Sequence, residues 1–347
     1  MIRRILVTRT DRIGDVVLST PVFSALRDHY PDAHIAALVA DSNKELVDGN
    51  PFLNEVILYD KKGQHASWWD NFWFARKLSK KRFDVIVNLH PTNRIHWISY
   101  LAGIPKRIGY GKKNAFLLTD TIPDEKWQGL RHESEYNFDL LKLIDVRIPE
   151  KMNPYIPLKL SHKLELEAIL QKEGISLDQP YVVIHPSASC PSRLWRSERY
   201  AQVADELARR WRVNIILISA PGTDSIFVKR VRTFMRERSI DLAGKLSLGV
   251  LAWLLKSCSL LISNDSGPMH VAAAFDTPII AIFGRNQVGL SPKRWRPLGR
   301  NSFYVKKDVG CIECAAHRCD LGFLCLDEVT VKDVLEVAEK YEERIAC

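Results

Sequence analysis

Short apolar runs alternate with amphipathic segments along the whole chain. The runs predict strands at residues 5–7, 34–39 and 85–89 in the first half, and at 181–184, 215–219, 260–263 and 278–283 in the second. Apolar residues at helical spacing predict helices at 16–29, 197–211 and 223–237. Continuous apolar strands separated by helices are typical of parallel sheets covered on both faces. The predicted fold class is therefore α/β with Rossmann-like sheets.

This alternation is interrupted between residues 149 and 180. The interval holds four prolines and a charged helical stretch at 163–173. A chain of 347 residues is comfortable for two domains. We therefore predict an N-terminal domain at 1–160, a C-terminal domain at 175–328 and a final helix at 329–347 that packs back on the N-terminal domain. In such open sheets, ligands bind at the carboxyl ends of the strands.

The formal charge of +9 indicates an acidic partner, which could be nucleic acid, a phosphorylated substrate or an anionic membrane. The basic residues are spread along the chain, which speaks against nucleic acid. The apolar run at 5–7 is too short for a signal peptide, and no stretch reaches the roughly 18 apolar residues of a spanning helix. Seven cysteines, an odd number, do not suggest a secreted disulfide framework. We expect a cytoplasmic protein that could lie peripherally at the inner membrane.

The segment TRTDRIGDVVLSTP, residues 8–21, links the first strand to the first helix. A dinucleotide fingerprint would have three glycines here, but this loop has one, Gly14, together with Asp11 and Asp15. The P-loop motif and the D-x-D pair are also absent from the chain. A bound nucleoside diphosphate would then need backbone N–H groups at helix ends and basic side chains.

Two segments of the second half offer such groups. In ISNDSGPMHVAAA, residues 262–274, a strand leads through Asp265, Ser266 and Gly267 into a helix of small residues. His270 follows as either a phosphate donor or a core histidine. The alternative interpretation of this segment is a well-capped structural helix.

The other segment, residues 184–200, contains Ser187 and Ser189 as hydroxyl donors and Arg193 as a fork for a diphosphate. Trp195 is predicted to be a packing residue. In SAPGTDS, residues 219–225, Asp224 could accept the two hydroxyls of a ribose or could cap a helix.

Four motifs together resemble glycosyltransferase family 9, the lipopolysaccharide inner-core heptosyltransferases that use ADP-heptose. They are RIGDVVLSTPVFSALRDHYPDAHI (12–35), AGIPKRIGYG (102–111), HPSAS…RLW (185–195) and NDSGPMHVAAA (264–274). They occur in the family's order over nearly the whole chain. The resemblance implies a GT-B architecture, in which two Rossmann-like domains face each other across a cleft. It also implies an inverting, metal-independent transfer, with the acceptor on the N-terminal domain and the nucleotide-sugar donor on the C-terminal one.

The resemblance assigns roles to individual residues. The catalytic aspartate corresponds to Asp15, and the basic residue for the donor diphosphate corresponds to Arg193. The phosphate-binding turn corresponds to Asp265, Ser266 and Gly267, with His270 nearby. The ribose-binding acid corresponds to Asp224 only after a shift of one position, because an ungapped match gives Thr223.

The chemistry of the residues agrees with these roles. A carboxylate can take the proton of an attacking sugar hydroxyl, and a helix N-terminus and an arginine can stabilise the leaving diphosphate. Asp15 stands at a predicted helix start, where the helix dipole favours the ionised acid. Asp11 is the second candidate for the base.

The implied acceptor is an anionic lipid-linked saccharide. Basic residues near the first-half strand ends could contact it, namely Arg12, Arg94 and Arg107, with Arg9 beside them, although a solvated basic face would look the same. Residues 66–84 combine Trp68, Trp69, Phe72 and Trp73 with a basic tail. This stretch could be an interfacial membrane helix or a helix buried against the sheet.

Cys311, Cys314, Cys319 and Cys325 form a C-x2-C-x4-C-x5-C cluster. Four thiols in this interval could hold a structural metal, either zinc or an iron–sulfur cluster, or form a redox-sensitive loop. We expect no cofactor to be required for catalysis.

The sequence therefore favours an inverting glycosyltransferase that transfers a heptose or a related sugar to the lipopolysaccharide inner core. A sugar-nucleotide epimerase of the same two-domain fold and a basic nucleic-acid-binding protein are the alternatives. The residues do not distinguish among donor sugars or nucleotide bases.

Overall fold

The fold is that of a computed structural model, which describes residues 2–311, 314 and 317–342. The chain divides into two compact units, Met1–Pro157 (unit 1) and Leu158–Cys347 (unit 2). The division falls inside the proline-containing interval, but unit 2 begins earlier than residue 175, the predicted start of the second domain.

In the described part of unit 1, six parallel strands form one sheet in the order β3-β2-β1-β4-β5-β6. The strands are β1 (Arg4–Arg9), β2 (His34–Ala40), β3 (Glu55–Tyr59), β4 (Val85–Asn88), β5 (Lys106–Tyr110) and β6 (Asp120–Ile122). The helices are α1 (Ile13–Val17), α2 (Thr20–His29), α3 (Trp68–Ser79), α4 (Asn93–Leu101) and α5 (Glu133–Leu141). The apolar residues of the central strands β1, β2 and β4 are buried, as their composition predicts.

The helix predicted at 16–29 is two helices, α1 and α2. Ser19 donates its hydroxyl to the Asp15 carbonyl at 2.8 Å, and Thr20 donates to the Val17 carbonyl at 2.8 Å. Pro21 follows in the first turn of α2, where its missing N–H costs nothing. The break separates α1, which carries Asp15, from the longer α2.

In the described part of unit 2, six parallel strands form a second sheet in the order β12-β11-β10-β7-β8-β9. The strands are β7 (Tyr181–His185), β8 (Asn214–Leu217), β9 (Ser239–Asp241), β10 (Leu260–Asn264), β11 (Ile279–Ile282) and β12 (Ser302–Val305). The helices are α6 (Leu160–Lys172), α7 (Ser197–Trp211), α8 (Ser225–Phe234), α9 (Leu248–Ser257), α10 (Gly267–Ala273), α11 (Pro292–Trp295), α12 (Leu324–Asp327) and α13 (Val331–Ala338).

The two sheets have the same topology. In each, the first three strands of the unit lie on one side and the last three on the other, so the strand order reverses between β1 and β4 in unit 1 and between β7 and β10 in unit 2. This is the Rossmann order, and ligands of such sheets bind where the order reverses. The predicted fold class, with two Rossmann-like units, is confirmed.

The C-terminal helix is a correction to the predicted domain plan. We expected it to pack on the N-terminal domain, but its described part, α13, packs on α7 of unit 2. Val334 and Ala338 are buried in the same apolar cluster as Leu207 and Trp211. Residues 343–347 of the predicted helix lie outside the described residues.

In the described parts of the chain, no helix combines the length and the apolar character that crossing a membrane requires.

Candidate active site

The reversal point of unit 1 holds a cluster of charged side chains around Arg9, the last residue of β1. Its guanidinium donates from Nε to the Asp11 carboxylate at 2.8 Å and from Nη2 to Oδ1 of Asp15. Asp11 lies in the loop after β1, and Asp15 lies in α1. The short helix therefore holds the candidate base against the end of the central strand.

The other side of the Arg9 guanidinium faces α5. Its Nη1 donates to Asn137 Oδ1 at 3.1 Å and lies 3.3 Å from Oε1 of Glu133. Glu133 is buried and also accepts from Lys126 Nζ at 2.8 Å. Sequence analysis did not assign Glu133, Asn137 or Lys126 to the site, because they follow Arg9 by more than 100 positions and reach it only through the fold.

Burial decides the protonation behaviour of Asp15. The side chain is 14% exposed, and loss of water around the carboxylate raises its pKa to about 6, although Arg9 acts in the opposite direction. From the sequence alone we considered only the helix dipole, which favours the ionised acid. In the structure the largest influence on the pKa is desolvation, which raises it, and the acid is still mostly ionised at neutral pH. A carboxylate with this pKa is a better proton acceptor at neutral pH than a surface aspartate.

A histidine adjoins the same cluster. Nδ1 of His90 lies 3.3 Å from Oδ2 of Asp11, just after the end of β4. Burial lowers the pKa of His90, so the ring is neutral at physiological pH. Asp11, our second candidate for the base, thus accepts a hydrogen bond from Arg9 and lies beside His90.

Two of the three arginines predicted to contact the acceptor, Arg12 and Arg94, lie at the reversal point of unit 1. Arg12 is exposed at the start of α1, and Arg94 is exposed in the first turn of α4, where it donates to the carbonyls of Lys61 and Ala66. Both follow the carboxyl ends of strands at the reversal point.

Arg107 is not brought to this edge of the sheet. It pairs in register with Ile86, which pairs with Leu6, three residues before Arg9, so it lies about 10 Å from the edge. Its guanidinium donates to the Leu117 carbonyl at 2.6 Å and the Ile104 carbonyl at 2.5 Å. The structure gives Arg107 a role in holding loops, which the sequence could not distinguish from acceptor binding.

In unit 2, the reversal point is built from the ends of β7 and β10. Asn264, the last residue of β10, donates to the Pro186 carbonyl at 2.8 Å and accepts from the Trp195 backbone N–H and the Tyr200 hydroxyl. Trp195 is buried, as predicted, and donates its indole N–H to the Val329 carbonyl. These bonds fix the loop that carries Ser187, Ser189 and Arg193.

A buried histidine, His185, links the loop after β7 to the loop after β10, which are the two loops predicted to bind phosphate. Nε2 of His185 lies 3.0 Å from the Ser187 hydroxyl, and Nδ1 lies 3.0 Å from the Ser266 hydroxyl. Burial lowers the pKa of His185 to about 4, so the ring is neutral and can donate from one nitrogen while accepting at the other. Ser187 is buried and Ser189 is exposed. His185 was not among the predicted site residues.

Asp265 lies between two arginines. Its Oδ2 accepts from Arg285 Nη2 at 2.6 Å and lies 3.3 Å from Arg193 Nε, and its carbonyl accepts from Arg193 Nη1. Two cations against one carboxylate give this cluster a net positive charge, which suits an anion. Sequence analysis found Asp265 and Arg193 but missed Arg285, which follows β11 in a segment without a recognisable motif.

The remaining residues predicted to bind the donor lie at two helices, α10 and α8. Gly267 begins α10, and His270 is buried within it. Asp224 follows β8 and precedes α8, but its side chain makes no capping hydrogen bond to the described first turn of that helix. Asp224 thus occupies the N-cap position of α8 without a side-chain capping hydrogen bond, and its contact with a ribose stays a prediction.

The four cysteines predicted to hold a metal line one cavity of about 180 Å³, which also includes Arg285 and Ser192. Burial raises the pKa of Cys325, and Cys314 and Cys319 lie close enough to raise it further. Within the described residues, however, no three metal-ligating side chains come together as a group that could hold an ion. The described residues thus give no support to a bound metal, and the metal stays a prediction from the spacing of the cysteines.

Two Rossmann-like units, each with charged side chains at its reversal point, have the architecture of a GT-B glycosyltransferase. The chain belongs to glycosyltransferase family 9 (heptosyltransferase), whose family model matches residues 72–324. The matched range includes Arg193, Asp224 and Asp265 but not Asp15.

The chain is also similar to individual heptosyltransferases in sequence and to solved structures in fold. Lipopolysaccharide heptosyltransferase 3 of Escherichia coli is 28% identical over 300 residues, which cover 83% of this chain and 84% of that protein. The crystal structure of a family 9 glycosyl transferase from Veillonella parvula superposes with a TM-score of 0.87 at 24% identity, covering 99% and 98% of the two chains. E. coli ADP-heptose lps heptosyltransferase II gives a TM-score of 0.81 at 22% identity, covering 98% and 99%.

Proposed function

We propose that this enzyme transfers a heptose from ADP-heptose to the lipopolysaccharide inner core with inversion at the anomeric carbon. The observation that carries the proposal is the Asp15 carboxylate, held by Arg9 at the reversal point of unit 1 with a pKa of about 6. Membership of family 9 and the similarity to lipopolysaccharide heptosyltransferase 3 support the choice of donor and acceptor.

Asp15 acts as the general base in this proposal. Arg9 engages Oδ1, so we assign Oδ2 to the acceptor hydroxyl. As the hydroxyl oxygen forms its bond to the anomeric carbon, its proton passes to Asp15 and the bond from that carbon to the diphosphate oxygen breaks. A single displacement with one carboxylate inverts the anomeric configuration. Arg9 is a positioning residue, because it holds the base rather than the substrate.

Unit 2 binds the donor. Arg193 and Arg285 carry the positive charge that balances the leaving diphosphate, and Asp265 keeps the two guanidinium groups in place. Ser187, Ser189, Ser266 and the backbone of Gly267 supply hydrogen-bond donors. Asp224 accepts the ribose hydroxyls. His270 supports the turn from within α10.

The arginine pair supplies the charge stabilisation that a divalent ion supplies in other glycosyltransferases, so we propose that transfer is metal-independent. Transfer should then be unchanged by a chelator. A metal at Cys311, Cys314, Cys319 and Cys325 would be structural and separate from the reaction, and metal analysis of the purified protein tests that prediction.

The acceptor binds on unit 1, and Arg12 and Arg94 are the basic residues that we assign to its anionic groups. A lipid-linked acceptor places the reaction at the cytoplasmic face of the inner membrane, with peripheral rather than spanning contact. Nucleic acid is not a partner in this proposal.

Product analysis tests the function directly. Purified enzyme is incubated with a panel of ADP- and UDP-sugars and with truncated lipopolysaccharide acceptors, and the products are identified by mass spectrometry. Transfer from ADP-heptose with an inverted anomeric centre is the expected result. Conversion of the donor without an acceptor would instead support the epimerase alternative, and folded protein with no transfer from any donor would contradict the proposal.

A further inference from the structure

An exposed aromatic surface covers part of unit 1 outside the base and the donor-binding residues. At its border, Trp68 and Trp97 line a cavity together with Arg94, which we assign to the acceptor. Seven aromatic side chains define it, and we call them the aromatic surface: Trp68, Trp69, Phe72, Trp73, Trp97, Tyr100 and Phe116. Five of these side chains are exposed over more than half of their area, from 51% for Tyr100 to 76% for Phe116. Large apolar side chains grouped at this exposure mark an interaction site.

The rings lie on three segments of the chain and make two sets of contacts, which meet in the first turn of α3, where Trp68 and Trp69 are adjacent. Trp97 of α4 contacts Trp68 of α3 at 6.1 Å between ring centroids, Tyr100 at 6.1 Å and Phe116 at 6.3 Å. Phe72 of α3 contacts Trp69 at 6.4 Å and Trp73 at 5.6 Å. The patch is therefore a property of the folded unit and not of one helix.

Helix α3 shows that these rings are not part of the core. Its buried side chains include Phe74, Ala75 and Leu78, which belong to the apolar cluster of unit 1. At 100° per residue, the opposite face carries the aromatic rings in the first two turns and basic side chains in the last. One face of α3 is thus packed against the rest of unit 1, as one of the two interpretations of residues 66–84 predicts. The opposite face carries aromatic side chains at its start and basic side chains at its end.

The charges beside the patch are mostly positive. Arg76, Lys77 and Lys80 are exposed on the same face of α3 as Trp69 and Trp73. Arg107 lies over the Tyr100 ring at 5.6 Å, and Lys113 is exposed near Phe116. The nearest acid on α3, Asp70, is engaged by Ser67 in the helix cap. This arrangement complements a negatively charged partner.

We propose that the aromatic surface docks unit 1 on an anionic phospholipid bilayer. Indole rings prefer the level of the lipid head groups, where the ring body is in an apolar environment and the N–H is hydrated. Basic side chains beside them are attracted by anionic lipids, and together the two contributions give reversible peripheral binding. This inference rests on the peripheral membrane contact of the proposed function and names the surface that makes it. None of the base or donor-binding residues belongs to that surface.

Vesicle sedimentation of the full chain tests the surface. Vesicles of phosphatidylethanolamine and phosphatidylcholine are compared with vesicles that also contain phosphatidylglycerol. We expect the wild-type protein to bind the anionic vesicles, and W69A/W73A to bind them at least roughly tenfold more weakly. W127A is the matched control, because Trp127 is 69% exposed in unit 1 but outside the aromatic surface, and it should bind like the wild type.

A second pair of variants tests the charges. R76Q/K77Q should weaken binding to the anionic vesicles by roughly tenfold, and more so at low salt. K229Q/R230Q removes the same two charges from an exposed position on α8 of unit 2 and should leave binding unchanged. F116A should also weaken binding, because the surface extends beyond α3.

The outcomes separate this inference from the proposed function, since vesicle binding is measured without donor or acceptor. W69A/W73A should keep full transfer activity toward a deacylated, water-soluble acceptor. Absence of wild-type binding to anionic vesicles, or equal binding by W69A/W73A, overturns the inference. A wild-type dimer in sedimentation velocity that W69A/W73A dissociates, without vesicle binding, would identify a protein interface in its place.

Discussion

Arg9 donates a hydrogen bond from Nη2 to Oδ1 of Asp15, and the same guanidinium also pairs with Asp11 and Glu133. One buried cation thus organises three carboxylates contributed by three segments of unit 1. Burial raises the pKa of Asp15 while Arg9 acts to lower it, and the balance leaves the carboxylate basic enough to accept a proton at neutral pH.

The acid side of the pH profile should report Asp15. The ionised carboxylate is the active form, so kcat/KM should fall as the pH drops through about 6, with a slope of one. A surface aspartate would place this limb near 4. Initial rates at low donor and acceptor concentration, measured across this range with a check that the protein stays folded, give the value. A flat profile down to pH 5 would show that another group takes the proton.

Arg9 should matter for stability as well as for the base. R9K keeps the charge but loses the fork that reaches Asp11, Asp15 and Glu133 together, so we expect a loss of at least about 2 kcal/mol in the free energy of unfolding. Weaker pairing should also move the acid limb of kcat/KM to higher pH. Urea unfolding and the pH profile measure the two effects, and R3K, at an exposed position just before β1, is the control. An unshifted limb would contradict the positioning role.

Arg193 should bind the donor diphosphate. R193Q removes one of two cations beside Asp265, and the affinity for ADP should fall by at least roughly tenfold. Isothermal titration calorimetry measures this, with R230Q as a control that removes an exposed arginine elsewhere in unit 2. Equal affinities in the wild type and R193Q would place the diphosphate somewhere else.

Asp224 should act through the ribose hydroxyls. In the wild type, ADP should bind more tightly than 2′-deoxy-ADP, and D224A should reduce the affinity for ADP by roughly tenfold while nearly removing the preference. The comparison uses the deoxynucleotide as an internal reference, so a general loss of folding would not imitate the result. A preference for ADP that persists in D224A would assign the ribose contact to a different residue.

Much of the fold could be predicted because the central strands are continuous apolar runs, as in Val182, Val183 and Ile184 of β7. Strands with polar or short sequences were missed, among them β5 (KRIGY) and the edge strands β3, β6, β9 and β12. An edge strand pairs on one side only and needs less apolar character, so its composition is a weak signal.

Those residues of the candidate site that come a few positions after the end of a strand could be predicted. Asp15 and Asp265 are such positions. Glu133 could not be found this way, because it lies 124 positions from Arg9 and the two meet only after the sheet forms. Arg285 also follows a strand end, but its segment carries no recognisable motif. The opposite error occurred at Arg107, where a basic residue near a strand was assigned to the site although it lies toward the other end of that strand.

Turnover of D15N compared with D11N tests the central claim most directly. D15N should bind the donor like the wild type but lower kcat by roughly 10²–10⁴-fold, because the acceptor hydroxyl loses its base. D11N should retain most of the turnover, since Asp11 is engaged by Arg9 and is not assigned the proton. Substantial turnover in D15N together with its loss in D11N would contradict the account and assign the reaction to the other carboxylate.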